Sequence, residues 1–178
     1  LPAPPDWLAR ERAGAVFFFA AAGRDALEAA MRVFLAGIMQ GSHVAALVHD
    51  QHYRDRLNAA VRRCWPEAEV YDPFAGHRNS IGYGPDRMRE VFEGHVRMCR
   101  EFDLVIAYVP EASMGTAIEV WEAHRHGRAV ITITPLVHNW VVQLTSLAVY
   151  PDQETFEEAL AAGEVDRLMR RHAAAARA

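Results

Sequence analysis

The sequence predicts an α/β protein: a parallel sheet with helices covering both faces, so a three-layer sandwich. Short runs that are apolar throughout at 33–36 and 104–109, and broken only by Thr132 at 129–133, alternate with helical stretches of about ten to fifteen residues. Glycine or proline punctuates them, at Gly37, Pro66, Pro110, Gly127 and Pro135. The chain has 178 residues, 51% of them hydrophobic and 24% charged, which suits one globular domain and excludes a disordered chain.

The first run, 33–36, ends in Gly37. A helix over roughly 49–65 follows, with Leu57, Val61, Cys64 and Trp65 on one face and Pro66 as its stop. A short strand at 69–71 closes on Asp72-Pro73 and opens a polar loop holding Gly76, Asn79, Gly82 and Gly84. A second helix, about 86–102, carries Met88, Val91, Phe92, His95, Val96 and Cys99 at helical spacing. After the run at 104–109, a third helix spans about 114–126 and stops at Gly127. The run at 129–133 is the fourth strand and 147–150 a fifth, and the acidic-then-basic segment 152–171 closes the chain as helix before an alanine-rich tail that frays. Residues 1–30 read as an N-terminal helical extension and 31–178 as the α/β domain. The stretch 16–22 resembles a signal peptide faintly, although Asp6 and Glu11 sit in what would be its positive region.

Charge and composition remove several classes of function. A net charge of −4 argues against a nucleic-acid polymer as partner. The longest apolar run, 15–22, is far short of the ~20 residues that span a bilayer, so no membrane partner is expected. All 19 positive residues are arginine, which excludes Schiff-base and P-loop lysines. Two cysteines, Cys64 and Cys99, make neither a disulfide framework nor a metal motif and suit a reducing cytoplasm. The nine histidines show no ligand spacing, so neither metal nor cofactor is expected.

In an open α/β sheet, ligands bind beyond the carboxyl ends of the strands. The loops at 37–43, 72–84, 110–115 and 135–140 should therefore gather at one edge. The first holds Gly37, Gly41 and Ser42, where glycine lets backbone approach a ligand; a plain tight turn explains the same residues. The third reads Pro-Glu-Ala-Ser113-Met-Gly115-Thr116-Ala-Ile-Glu119. Ser113 or Thr116 would cap a helix whose start favours an anion such as phosphate, with Glu119 in its opening turn. Two plainer readings compete: Thr116-x-x-Glu119 is a capping-box spacing, and Glu119, Glu122 and His126 share a face that water alone could explain. Asp72 is either a crevice carboxylate or the cap before Pro73. His95 is either packed on the apolar face with Phe92 and Val96 or a proton donor near neutrality.

The order FLAG after strand one, FDLVIAYVP at strand three and SMGTAIEVWEAHRHGRAVI after it resembles the nucleoside 2-deoxyribosyltransferase family, including its 2′-deoxynucleoside 5′-phosphate N-hydrolases. The resemblance covers about residues 32–150. It implies a flavodoxin-like or Rossmann-like fold with a five-stranded parallel sheet, a glutamate nucleophile at Glu119, and a 5′-phosphate held at Ser113-Met114-Gly115. It also implies that Asn139, in His138-Asn139-Trp140, reaches a neighbouring subunit's site in a homo-oligomer. One departure matters: where the family carries an aspartate eight residues before the one opening strand three, this chain has His95. The expected function is hydrolysis or base exchange at the N-glycosidic bond of a nucleoside or nucleoside 5′-monophosphate. The alternative is a catalytically weak nucleotide-binding or sensing domain of the same fold.

Overall fold

The computed structural model describes residues 31–41, 43 and 47–176. The helical extension expected at 1–30, the signal-like stretch 16–22 and Ser42 lie outside the described residues.

Five parallel strands, β1 (Arg32–Gly37), β2 (Glu69–Tyr71), β3 (Leu104–Tyr108), β4 (Ala129–Ile133) and β5 (Ala148–Tyr150), form one sheet in the order β2-β1-β3-β4-β5. This is the flavodoxin-like doubly wound order, with helices on both faces. Side chains alternate across β1. Val33 and Leu35 pack with Leu57, Val61, Phe156 and Leu160 on one face, while Phe34 and Ala36 pack with Cys99, Val120 and Ala123 on the other. Both sets are almost fully excluded from water, which is why residues 33–36 are apolar without interruption.

The first face is covered by α1 (His52–Cys64), α6 (Gln153–Ala161) and α7 (Glu164–Ala175). The second is covered by α3 (Pro85–Cys99) and α4 (Met114–Arg125). Short helices α2 (Pro73–Gly76) and α5 (Trp140–Thr145) and a 3₁₀ turn at Ser80–Gly82 complete the described chain. The single helix expected over 152–171 is two helices. Gly163, with φ of +68°, turns the chain between them in a conformation that suits glycine. Helix α5 was not foreseen: after the turn at Pro135 the side chain of Asn139 accepts from the amides of Val141 and Val142 and starts a new helix.

The strand order places the site. The chain leaves β1 for β2 on one side and enters β3 on the other, so the loops after β1 and β3 diverge and leave a crevice between them.

Candidate active site

A cleft of about 500 Å³ opens at that switch point. Gly37, Met39 and Gly41 line it from β1 and the loop after it, Ser113, Gly115, Thr116 and Glu119 from α4, and His77, Tyr83, Phe92 and His95 from the opposite wall. Gly41 is required to be glycine. Its φ is +54°, and a Cβ there would lie 2.5 Å from Glu111 Oε1 and 2.6 Å from His49 Nε2.

The start of α4 decides between the readings of Glu119. Ser113 is the cap: its Oγ accepts from the Thr116 amide at 3.5 Å and lies 2.9 Å from Thr116 Oγ1. Thr116 is therefore the third helical residue and Glu119 the sixth, one turn beyond the position a capping-box glutamate needs. Both the capping-box reading and the placement of Glu119 in the opening turn are corrected: the cap falls three residues earlier than Thr116. Glu122, by contrast, is 7% exposed and tied to Arg125 at 2.8 Å, Arg100 at 3.4 Å and His126 at 3.6 Å. The two glutamates and His126 do not form one solvated face.

Glu119 is half-buried, and no side chain or amide among the described residues donates to it. Its opening to the cleft leaves it some accessible surface, but protein surrounds it closely. Desolvation dominates and pushes its pKa up to about 7, with the Arg54 cation pulling the other way. At its depth in α4, burial outweighs the dipole of the first turn.

Arg54 was missed, because an arginine within a helix reads as a solvated face. It is 2% exposed. Strand β2 stops at Tyr71, opposite Phe34, so the carbonyls of Leu35 and Gly37 have no ladder partner on that side. Arg54 fills the gap: Nη1 donates to Leu35 O at 2.8 Å and to Asp72 Oδ1 at 2.9 Å, Nη2 to Gly37 O at 3.2 Å, and Nε to Gln51 Oε1 at 2.7 Å. Asp72 does not wall the cleft. It caps α2, accepting from Phe74 N at 2.9 Å, and holds Arg54, which corrects its assignment as a substrate contact.

His95 lines the cleft but is 7% exposed. Its Nε2 lies 3.2 Å from the Tyr71 hydroxyl, and its ring meets Phe34 edge-on. Burial lowers its pKa to about 4, with neighbouring His77 and Arg54 adding to the effect. The expectation that it supplies a proton by titrating near neutrality is therefore corrected; the ring is neutral at pH 7. His77, 5.3 Å away between ring centroids, pairs through Nδ1 with Tyr83 OH at 3.0 Å. Neither His77 nor Tyr83 was anticipated, since both sit in the irregular loop, where spacing carries no signal.

Gly37, Gly41, Ser113 and Gly115 all reach the cleft, and a Cβ on Gly115 would meet nothing within 4 Å. Asn139 does not. It caps α5 and lines a second, mostly apolar hollow of about 390 Å³ on the far side of Ser113–Thr116. Within its own chain, Asn139 cannot serve the Glu119 cleft. Among the described residues no cluster of three His, Cys, Asp or Glu has metal-binding geometry, and no helix is long and apolar enough to cross a membrane.

No protein-family profile matches the chain, and no curated protein matches its sequence. Solved structures do. A 2-deoxyribosyltransferase from the psychrotolerant bacterium Bacillus psychrosaccharolyticus superposes with a TM-score of 0.53 at 17% identity, over 71% of this chain and 90% of that one. The two share a fold. A conserved protein from Enterococcus faecalis V583 superposes with a TM-score of 0.52 at 17% identity, over 74% of this chain and 98% of that one. A CMP N-glycosidase from Clostridium botulinum is 23% identical over 72% of this chain and 97% of that one, but its TM-score of 0.43 is too low to speak for a common fold. The resemblance to nucleoside 2-deoxyribosyltransferases therefore holds at the level of the fold.

Proposed function

We propose that this chain cleaves or exchanges the N-glycosidic bond of a nucleoside or nucleoside 5′-monophosphate, with Glu119 as nucleophile. The observation that carries the reading is a desolvated glutamate, with no hydrogen-bond donor among the described residues, in a cleft at the β1/β3 switch point of a fold shared with a 2-deoxyribosyltransferase. Breaking the bond between the anomeric carbon and the base leaves positive charge on the sugar. A carboxylate held beneath it in a water-poor cleft stabilises that charge more than one in water. The carboxylate oxygen then bonds to the anomeric carbon as the base departs with the bonding electrons and takes up a proton. Water or a second base displaces Glu119 and completes hydrolysis or transfer. Because the attacking form is the carboxylate, turnover should rise with pH through about 7.

Ser113 and the start of α4 suit a 5′-phosphate, with Arg89 at the cleft wall as a further cation. The neutral rings of His95 and Phe92 suit the flat face of a base. Incubation with a panel of nucleosides and 5′-monophosphates, followed for free base, tests the proposal. Release of base supports it. A second reading rests on His95, a buried and neutral ring where the resembling family has an aspartate: a nucleotide-binding or sensing domain. Tight binding across the panel with no base released would favour that reading instead.

We also infer a homo-oligomer. Trp140 is 79% and Leu144 73% exposed on α5, and Met114, Ile118 and Trp121 are exposed on α4, which packs against it. A sedimentation mass of one chain at micromolar concentration would overturn this.

A further inference from the structure

We propose that His77 is the proton donor to the departing base, with the Tyr83 hydroxyl as the partner that holds its ring. The proposal rests on the reading of Glu119 as nucleophile and supplies what that reading leaves open, the source of the proton that the base takes up.

The described residues of the cleft offer few acids. Glu119 reacts as the carboxylate and has no proton to give in that step. Arg89, on the same wall as His77, keeps its guanidinium protons at any pH a protein meets, so it is a fixed charge. The alcohols of Ser80, Ser113 and Thr116 and the amide of Gln40 are far weaker acids than an imidazolium. His95 is 7% exposed, and burial lowers its pKa to about 4, so it carries no proton to spare. That leaves His77 and Tyr83, which are bonded to each other. Of the two, an imidazolium is a stronger acid than a phenol by roughly three orders of magnitude.

His77 is half-buried at the end of α2, where its amide donates to Phe74 O at 3.1 Å and its carbonyl accepts from Ser80 N at 3.0 Å. The backbone is therefore fixed on both sides in an otherwise irregular loop. The ring is held too. Nδ1 lies 3.0 Å from the Tyr83 hydroxyl, and the two rings meet at 89° with centroids 5.9 Å apart. In the imidazolium both nitrogens carry protons, so Nδ1–H donates to the Tyr83 oxygen. That contact survives loss of the other proton. Nε2 has no hydrogen-bond partner among the described residues and is the nitrogen left for a ligand. The His95 ring is 5.3 Å away, but its Nε2 is taken up by the Tyr71 hydroxyl at 3.2 Å, so the two histidines do not pair.

Donor and leaving group share one side of the cleft, because Phe92 and His95, which suit the flat face of a base, belong to the wall that holds His77. In the first step the bond between the anomeric carbon and the base breaks and its electron pair goes to the base. The base takes the Nε2 proton while a Glu119 oxygen bonds to the anomeric carbon. In the second step water or an acceptor base bonds to that carbon, its proton passes to Nε2, and Glu119 leaves as the carboxylate. The imidazolium is restored and no outside acid is consumed.

The test compares two probes with the full chain. One is the nucleoside or 5′-monophosphate that the wild type cleaves fastest, and the other is the 4-nitrophenyl glycoside of the same sugar, whose phenolate departs without a proton. His77→Gln keeps a polar side chain and loses the transferable proton. Its kcat on the first probe should fall roughly 10²–10⁴-fold, the usual share of general acid catalysis, and on the second less than about threefold. Tyr83→Phe, which removes only the hydroxyl, should show the same selectivity with a smaller loss. An equal loss on both probes in His77→Gln, or no loss on either, overturns the proposal and leaves the glycosidic reaction standing. If His77→Gln does not fold, Tyr83→Phe decides alone: a loss confined to the first probe supports the role, and an equal loss or none refutes it. A wild type that releases neither base nor nitrophenolate removes the reaction, and the role of His77 with it.

Discussion

The two halves of α4 carry one glutamate each, three residues apart, and surround them differently. In the first half, Ser113, Gly115, Thr116 and Glu119 face an open cleft, and Glu119 has no donor among the described residues. In the second half, Val120 and Ala123 enter the core and Glu122 sits within reach of two arginines and a histidine. Desolvation unbalances the first carboxylate, whose pKa rises to about 7, while ion pairs and a bond from Arg125 Nε occupy the second. One side chain has unspent capacity to meet a developing positive charge, and the other has already met it. Of two glutamates on one helix, the one left unsatisfied in a cleft is the candidate for chemistry.

The largest effect expected from breaking this contrast is at Glu119. Glu119→Gln should fold, bind the substrate and lose roughly 10³-fold or more in kcat, since electrostatic stabilisation of the transition state goes with the charge. A variant that keeps most of its turnover would return Glu119 to the standing of Glu122. The reverse substitution comes next. Glu122→Ala should lose about 1–3 kcal/mol of stability in urea unfolding, because it strands charged partners that are themselves only partly exposed, with kcat per folded molecule unchanged.

Smaller effects sharpen the cleft half. Ser113→Ala should weaken 5′-monophosphates roughly tenfold more than the matching nucleosides, as loss of one hydrogen bond to a charged group implies. Equal weakening of both would leave nucleosides as the ligands. The smallest effect is on stability against pH, where two groups oppose each other. Glu119 holds its proton to about 7 in the folded state against a usual 4.5, so its contribution to stability falls as pH rises through that window. His95, lowered to about 4 from a usual 6.5, makes stability rise with pH between those values. The wild type should therefore change little between about pH 5 and about pH 6.5, by about 1 kcal/mol or less. Glu119→Gln should show a clear rise over that interval and His95→Phe a fall. Parallel curves for all three proteins would refute both shifts.

Much of this was legible from one sequence. Runs such as 33–36 and 104–109, apolar at every position, read as strands buried on both faces, and their alternation with helices pointed to a parallel sheet and a cleft at its carboxyl edge. The same reasoning brought Gly37, Gly41, Ser113, Gly115 and Glu119 to that edge, while His95 entered through the family resemblance. Local chemistry determines such features, because periodicity, caps and glycines act over a few residues.

What the tertiary structure alone decided depends on which distant segments meet. Arg54 belongs to an ordinary polar helix face until β2 ends at Tyr71 and leaves two carbonyls of β1 for its guanidinium to satisfy. Asp72 looked like a crevice ligand until that arginine claimed it. His95 and Glu119 are titratable side chains whose ordinary pKa values follow from their type, but burial by residues from other elements drives one down to about 4 and the other up to about 7. Desolvation is a property of everything around a group, so no local pattern encodes it.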